Sequence, residues 1–232
     1  MTPIFILVSL GVVIALAMGV ARMWSDLSGM HSGTGKHTAP VHFNLAAFGQ
    51  AANDVLRLRY LEGGGEGCSG EDESPSLSRR AFHHLTFYGF MFCFASTTVA
   101  AIEHYVFNRP APYPFLSAPV LLGTIGGAGL LAGPIGLLWL KRKRNPITSD
   151  PEQLGLDAGF LALLFLTSLS GLLLLALRET AAMGVTLAIH LGLVLGLFVT
   201  MPYGKFVHGI YRFAVLLRNA MEKRGRVIAD KP

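Results

Sequence analysis

The chain has 232 residues, of which 52% are hydrophobic and only 14% charged, and its net charge is +5. Apolar side chains in that proportion exceed what one soluble core of this size can bury, so a soluble globular domain is excluded and a bilayer is implied as the solvent. The basic excess then reads as attraction to anionic lipid headgroups and not as a nucleic-acid footprint.

In chain order, residues 3–22 form the first stretch long enough to span a hydrocarbon layer, which needs about 20 residues of helix. No basic residue precedes its apolar run and no small-residue cleavage site follows, so it reads as a span (TM1) and not as a secretory signal. Residues 25–82 are predicted to be a cytoplasmic loop region. It opens with the loop "MHSGTGKHTAP" and closes with the acidic, glycine-rich linker "LEGGGEGCSGEDESPS". Between these, Leu45, Phe48, Ala52, Val55 and Leu56 recur at helical spacing, which predicts an amphipathic helix lying on the inner membrane face or docked on a soluble partner. His31, His37 and His42 fall in or beside polar sequence and read as solvated.

Four further spans follow: TM2 over 84–107, TM3 over 117–140, TM4 over 157–177 and TM5 over 183–204. The glycine-rich "GTIGGAGLLAGPIG" of TM3 has no strand before it and lies in apolar surroundings, so it is not a nucleotide loop. Gly123 with Gly127, and Gly129 with Gly133, have the small-xxx-small spacing of closely packed membrane helices. After TM5, "KFVHGIYRFAVLLRNAMEKRG" predicts a basic amphipathic helix along the inner surface. The expected organisation is therefore all-α: a polytopic bundle of five transmembrane helices with amphipathic inner-surface helices. Its parts are a first span (1–24), a cytoplasmic loop (25–82), a four-helix membrane domain (83–222) and a basic tail (223–232).

Orientation follows from the lysines and arginines, because loops rich in them stay cytoplasmic. With the amino terminus outside and the carboxyl terminus inside, seventeen of the nineteen fall on the inner side and only Arg109 and Arg178 outside.

The histidines raise the functional question. His83 and His84 stand at the start of TM2 in "SRRAFHHLTFYGF", His104 at its end, His190 inside TM5 and His208 just beyond it. His190 and His208 are eighteen residues apart, five turns or about 27 Å on one face if the helix continues through Pro202. His83 lies within about 60° of the face of His104, and His84 about 160° from it. TM2 and TM5 run in opposite directions, so His83 or His84 meets the level of His208 at the inner rim and His104 that of His190 nearer the outer rim. Two imidazole pairs at two depths suit two stacked haems, each iron taking an axial nitrogen from either side. Thr86, Ser96 and Thr97 are candidates to fix imidazole orientation through hydrogen bonds. A proton relay through the membrane and a haem-free packing role are the competing readings, although polar groups inside spans are costly and His190 sits well inside one. With only Cys68 and Cys93, no iron-sulfur cluster is expected in this chain, and the absence of "CxxCH" disfavours haem c. Glu103, Arg109, Arg178 and Glu179 gather at the outer rim as a candidate quinone site.

The stretches "RRAFHHLTFYGF", "APYPFLSAPVLLGTIGGAGLLAGPIGLLWLKRKR", "FLTSLSGLLLLALRETAAMG" and "MPYGKFVHGIYR" resemble the membrane half of the tricarballylate or citrate utilization protein B family, over about residues 55–222. The resemblance implies a fold similar to the gamma subunit of respiratory nitrate reductase, a five-helix dihaem cytochrome b with ligands on its second and fifth helices. The fifth-helix histidines of that subunit are spaced like His190 and His208, whereas its second-helix pair is closer together than His83 or His84 and His104. The family resembles a relay in which a flavoprotein dehydrogenates a tricarboxylate and electrons pass through iron-sulfur clusters to membrane quinone. Its cluster-binding cysteines lie in an amino-terminal part, and this chain begins after that part would have ended. The expected cluster domain is then either a separate subunit or missing from an incomplete product. The function expected is a membrane electron-transfer subunit carrying haem b, without substrate chemistry of its own, in the cytoplasmic membrane of a bacterium. A flavoprotein dehydrogenase and an iron-sulfur protein would be its cytoplasmic partners and quinone its acceptor. A proton-coupled transporter or a haem-free membrane anchor is the alternative.

Overall fold

A computed structural model describes residues 2–32, 44–57, 77–142, 151–204 and 206–229 of the chain. Among them there are seven α-helices and no strand: α1 (Thr2–Ser32), α2 (Leu45–Leu56), α3 (Leu77–Tyr105), α4 (Ala118–Arg142), α5 (Pro151–Ala176), α6 (Met183–Thr200) and α7 (Phe206–Ala229). Five of these contain segments long and apolar enough to cross a membrane: Pro3–Asp26, Ser78–Tyr105, Ala118–Arg142, Gly155–Ala176 and Met183–Thr200. They match the five predicted spans. Their outward surfaces are those of a chain with lipid as its neighbour: Leu7 is 68% exposed, Val185 67% and Ile189 56%, an apolar coat that water would not tolerate over so much area. The predicted linker, with Cys68, and also His37 and His42 lie outside the described residues.

The chain divides into two compact units, one of Ser69–Leu197 and the other of the segment up to Cys68 together with Phe198–Pro232. In the first unit, α3 packs on α4 almost backbone to backbone. A Cβ added to Gly126 would stand 2.7 Å from the Gly89 carbonyl oxygen and 2.8 Å from the Cys93 nitrogen, and one on Gly89 would stand 2.9 Å from the Gly126 oxygen. Between membrane helices, where burial from water supplies no drive, such close approach is how dispersion contacts accumulate. Ser96 bridges the same pair by donating to the Pro119 carbonyl at 2.6 Å. The glycines of TM3 serve two neighbours and not one: Gly123 faces Ser96 of α3, whereas Gly127 faces Leu172 of α5. The buried Ser168 hydroxyl donates to the Gly127 carbonyl at 2.8 Å and so joins α5 to α4. At one end of that pair Lys141 donates to Asp157 at 2.6 Å, with both side chains about four-fifths covered. Leu130, Leu164 and Leu197 form the core of the unit, with Phe90, Cys93, Phe160 and Leu163 packed round them. Close backbone packing in this unit is that of α4 on α3 and on α5. α6 contributes Leu197 to that core.

In the other unit the amphipathic prediction for α2 holds, with its packed face rotated. Asn44 caps the helix by accepting from the Ala46 N–H at 2.8 Å. The buried positions are Ala47, Ala51 and Asp54, facing α7, where Ala47 joins Ala220 and Met221 under Trp24 and Leu217. Small residues at i, i+4 and i+7 let the two helices approach. The predicted stripe points mostly the other way, since Leu45 is 77% and Leu56 47% exposed, although Phe48 meets Phe213 edge to face at 5.4 Å. The Arg218 guanidinium is buried here, donating to Glu222 at 2.8 Å.

The expected continuation of one helix from His190 to His208 does not occur. α6 stops at Thr200, and Met201 to Gly204 form tight turns, Met201 N–H bonding to Phe198 O at 3.2 Å and Tyr203 N–H to Thr200 O at 3.1 Å. Pro202 has no N–H to extend the ladder, and α7 starts afresh at Phe206. The predicted basic amphipathic helix after TM5 is this separate helix.

Candidate functional site

The α5–α6 hairpin builds the most specific polar arrangement of the first unit. After α5 the chain turns through Leu177 to Ala182: Thr180 N–H bonds to Leu177 O at 2.9 Å, and the Thr180 hydroxyl both donates to Leu177 O at 2.8 Å and accepts from Ala182 N–H at 3.3 Å. With the turn centred on Thr180, residues equally far on either side come level on antiparallel helices, and Ser170 therefore faces His190. Ser170 Oγ lies 3.0 Å from His190 Nδ1. The same hydroxyl donates to the Thr167 carbonyl at 2.9 Å. Ser170 is buried and His190 half-buried. Gly171 gives the ring its place, since a Cβ there would stand 3.1 Å from His190 Cε1. The side-chain oxygen of Thr167, one turn before Gly171, is buried without a hydrogen-bond partner.

The hydroxyls expected to orient imidazoles are engaged elsewhere. Thr86 donates to Phe82 O at 2.9 Å, Thr97 to Cys93 O at 3.1 Å, and Ser96 to Pro119 O. Each satisfies a backbone carbonyl, as a hydroxyl on a lipid-embedded helix commonly does. Ser170 was the residue missed. The sequence holds the turn residues of "RETAAMG", but the pairing needs the turn centred on Thr180, midway between Ser170 and His190, which the sequence alone does not fix.

On α3, His84 accepts a long 3.4 Å hydrogen bond from Arg80 Nε and stacks on Tyr88, with ring centroids 5.6 Å apart and planes 6° from parallel. These three residues form one i, i+4 stripe. His83 is half-buried with its Nδ1 covered. His104 occupies the last turn of α3, exposed, edge-on to Tyr105 at 4.8 Å. His208, near the start of α7, is exposed and belongs to the other unit. Among the described residues no three His, Cys, Asp or Glu side chains converge as they would round a bare metal ion.

The four residues predicted for the outer rim fall into two groups. Arg109, itself 70% exposed, pairs with Glu103 at 3.2 Å. Arg178 is mostly covered: it donates to the Tyr113 carbonyl at 2.8 Å, its guanidinium lies 3.6 Å from the Phe115 ring centroid, and Glu179 is 3.6 Å away. The Tyr113 hydroxyl reaches Ala100 O at 2.9 Å and Arg109 O at 3.2 Å. Arg178 thus ties the end of α5 to the α3–α4 connection. Arg178→Gln is expected to cost about 2 kcal/mol through the lost hydrogen bond and cation–π contact. Arg109→Gln should cost less than about 1 kcal/mol, since the 70% exposed Arg109 loses only its pair with Glu103 and a distant contact over the Phe107 ring. Thermal unfolding of the two variants in one detergent checks the difference.

Five helices fit to cross a membrane, with an imidazole held in a polar niche between two of them, define a polytopic helical protein of the membrane type. The chain belongs to the citrate utilization protein B family, whose profile matches residues 3–229. It is 52% identical over 210 residues to citrate utilization protein B of Escherichia coli, a match that covers 90% of this chain and 52% of that protein. The chain therefore spans about half the length of the curated relative it matches. No solved structure matches it.

Proposed function

We propose that this chain is the membrane electron-transfer part of a citrate or tricarballylate utilization system, a b-type dihaem cytochrome that delivers electrons to quinone. The observation that carries the reading is the His190 niche. An imidazole inside a span, its Nδ1 engaged by Ser170 and its ring seated over Gly171, is arranged as a ligand is, with one nitrogen satisfied and the other kept for a metal. The family name, and the citrate utilization protein B to which the chain is similar, support the metabolic setting.

The residues on this chain fit haem by donor chemistry, because imidazole nitrogens are among the usual ligands of haem iron. Haem, when bound, supplies a one-electron carrier that no side chain here offers. His190 and His104 would hold the outer group. His208 would hold the inner one with His83 or His84 of α3. Of the four candidate quinone-site residues, Arg109 and Glu179 are the exposed ones, Glu103 is mostly covered beneath Arg109, and Arg178 is committed to the loop.

In this reading the chain lies in a bacterial cytoplasmic membrane with its amino terminus outside. A flavin and iron-sulfur dehydrogenase docks on the inner, basic side. A dithionite-reduced spectrum of the purified chain from haem-supplied cells should show b-type bands, and a spectrum without them would leave the transporter or anchor readings. A reporter fused after Lys231 should be cytoplasmic and one in "NRPAPYP" external. The reverse result would invert the assigned levels.

A further inference from the structure

We infer that Ser170 is a positioning residue for His190, holding its imidazole in the tautomer protonated on Nδ1 and so reserving Nε2 as the ligating nitrogen. The assignment of Nε2 to a metal rests on the dihaem reading; the tautomer itself does not.

A serine hydroxyl has one proton. Here that proton has an acceptor in the Thr167 carbonyl at 2.9 Å. Spent there, it leaves Ser170 Oγ able only to accept at 3.0 Å from His190 Nδ1, which must then carry the hydrogen. Gly171 restricts the ring from below, because a Cβ there would press on Cε1. A neutral imidazole with its hydrogen on Nδ1 has its lone pair on Nε2, and a carbonyl or hydroxyl accepting from the distal N–H raises the basicity of the ligating nitrogen.

The test uses the full chain in lipid nanodiscs, labelled with 15N-histidine, before and after haem loading. The His190 signals are those missing from His190→Gln. In the wild-type chain without haem, the 15N shifts should report Nδ1 protonated and Nε2 bare. The opposite pattern would mean that Ser170 donates to the ring, and would overturn the inference without any variant being needed. Ser170→Ala should raise the population protonated on Nε2 and weaken haem retention about 10- to 100-fold. An unchanged tautomer ratio in that variant would overturn the role of Ser170 even if haem were lost. If the wild-type chain took up no haem while His190 was Nδ1-protonated and responded to Ser170→Ala, the positioning role would stand and the dihaem reading would fall.

Discussion

On the proposed dihaem reading, replacing His190 by alanine is expected to remove one of the two haems and to abolish quinone reduction, while leaving the other haem reducible by the proposed dehydrogenase partner. The asymmetry comes from the two ends of the path. Arg212 lies one turn beyond His208 and Lys205 just before it, on the side that the distribution of basic residues assigns to the cytoplasm. His208→Ala should therefore remove the entry haem, so that the remaining one responds to dithionite but slowly to the partner. Truncation to alanine leaves no ring nitrogen at that position to hold the group. His104→Ala should copy His190→Ala. One of His83→Ala and His84→Ala should copy His208→Ala, and the other should retain both haems. Haem-to-protein ratios and reduced-minus-oxidised spectra read all five variants. If His104→Ala kept both haems with unchanged spectra, His190 would need another partner across the gap.

Gly126→Leu is expected to be severely damaging to the fold. At this position α3 offers backbone, the Gly89 carbonyl and the Cys93 nitrogen, each within 2.8 Å of where even a Cβ would sit. Backbone cannot rotate away as a side chain can, so the helices must separate and forfeit the dispersion contacts that hold them together in lipid. A cost of about 3 kcal/mol is expected, seen as a large drop in the unfolding temperature of the detergent-solubilised protein. Gly192→Leu is the matched control, since nothing lies within 4 Å of an added Cβ there. Equal behaviour of the two variants would mean that the α3–α4 approach does not limit stability.

The number and placement of the membrane-type helices followed from the sequence alone. Runs of apolar residues interrupted by glycine, proline and charge locate helices whose backbone must satisfy itself, wherever they pack. Composition likewise decided that the amphipathic segments lie at α2 and α7. Tertiary structure decided which face of each helix is used. Leu45 and Leu56 make the obvious apolar stripe of α2, yet α7 takes Ala47, Ala51 and Asp54, because small side chains permit close approach and hydrophobicity does not discriminate between faces when lipid is available. The same applies to the TM3 glycines, which divide between α3 and α5. Periodicity could not foresee that α6 would end at Thr200, since Pro202 is compatible with a kinked span as well as with a break. Hydroxyl partners were the least legible feature. Thr86, Ser96 and Thr97 lie on the helix of His83 and His104 but find nearer carbonyls, whereas Ser170 meets His190 because the hairpin brings positions twenty residues apart to one level. That pairing depends on where the turn falls. The sequence contains the turn residues, but only the folded hairpin sets its centre on Thr180 and so places the serine against the ring.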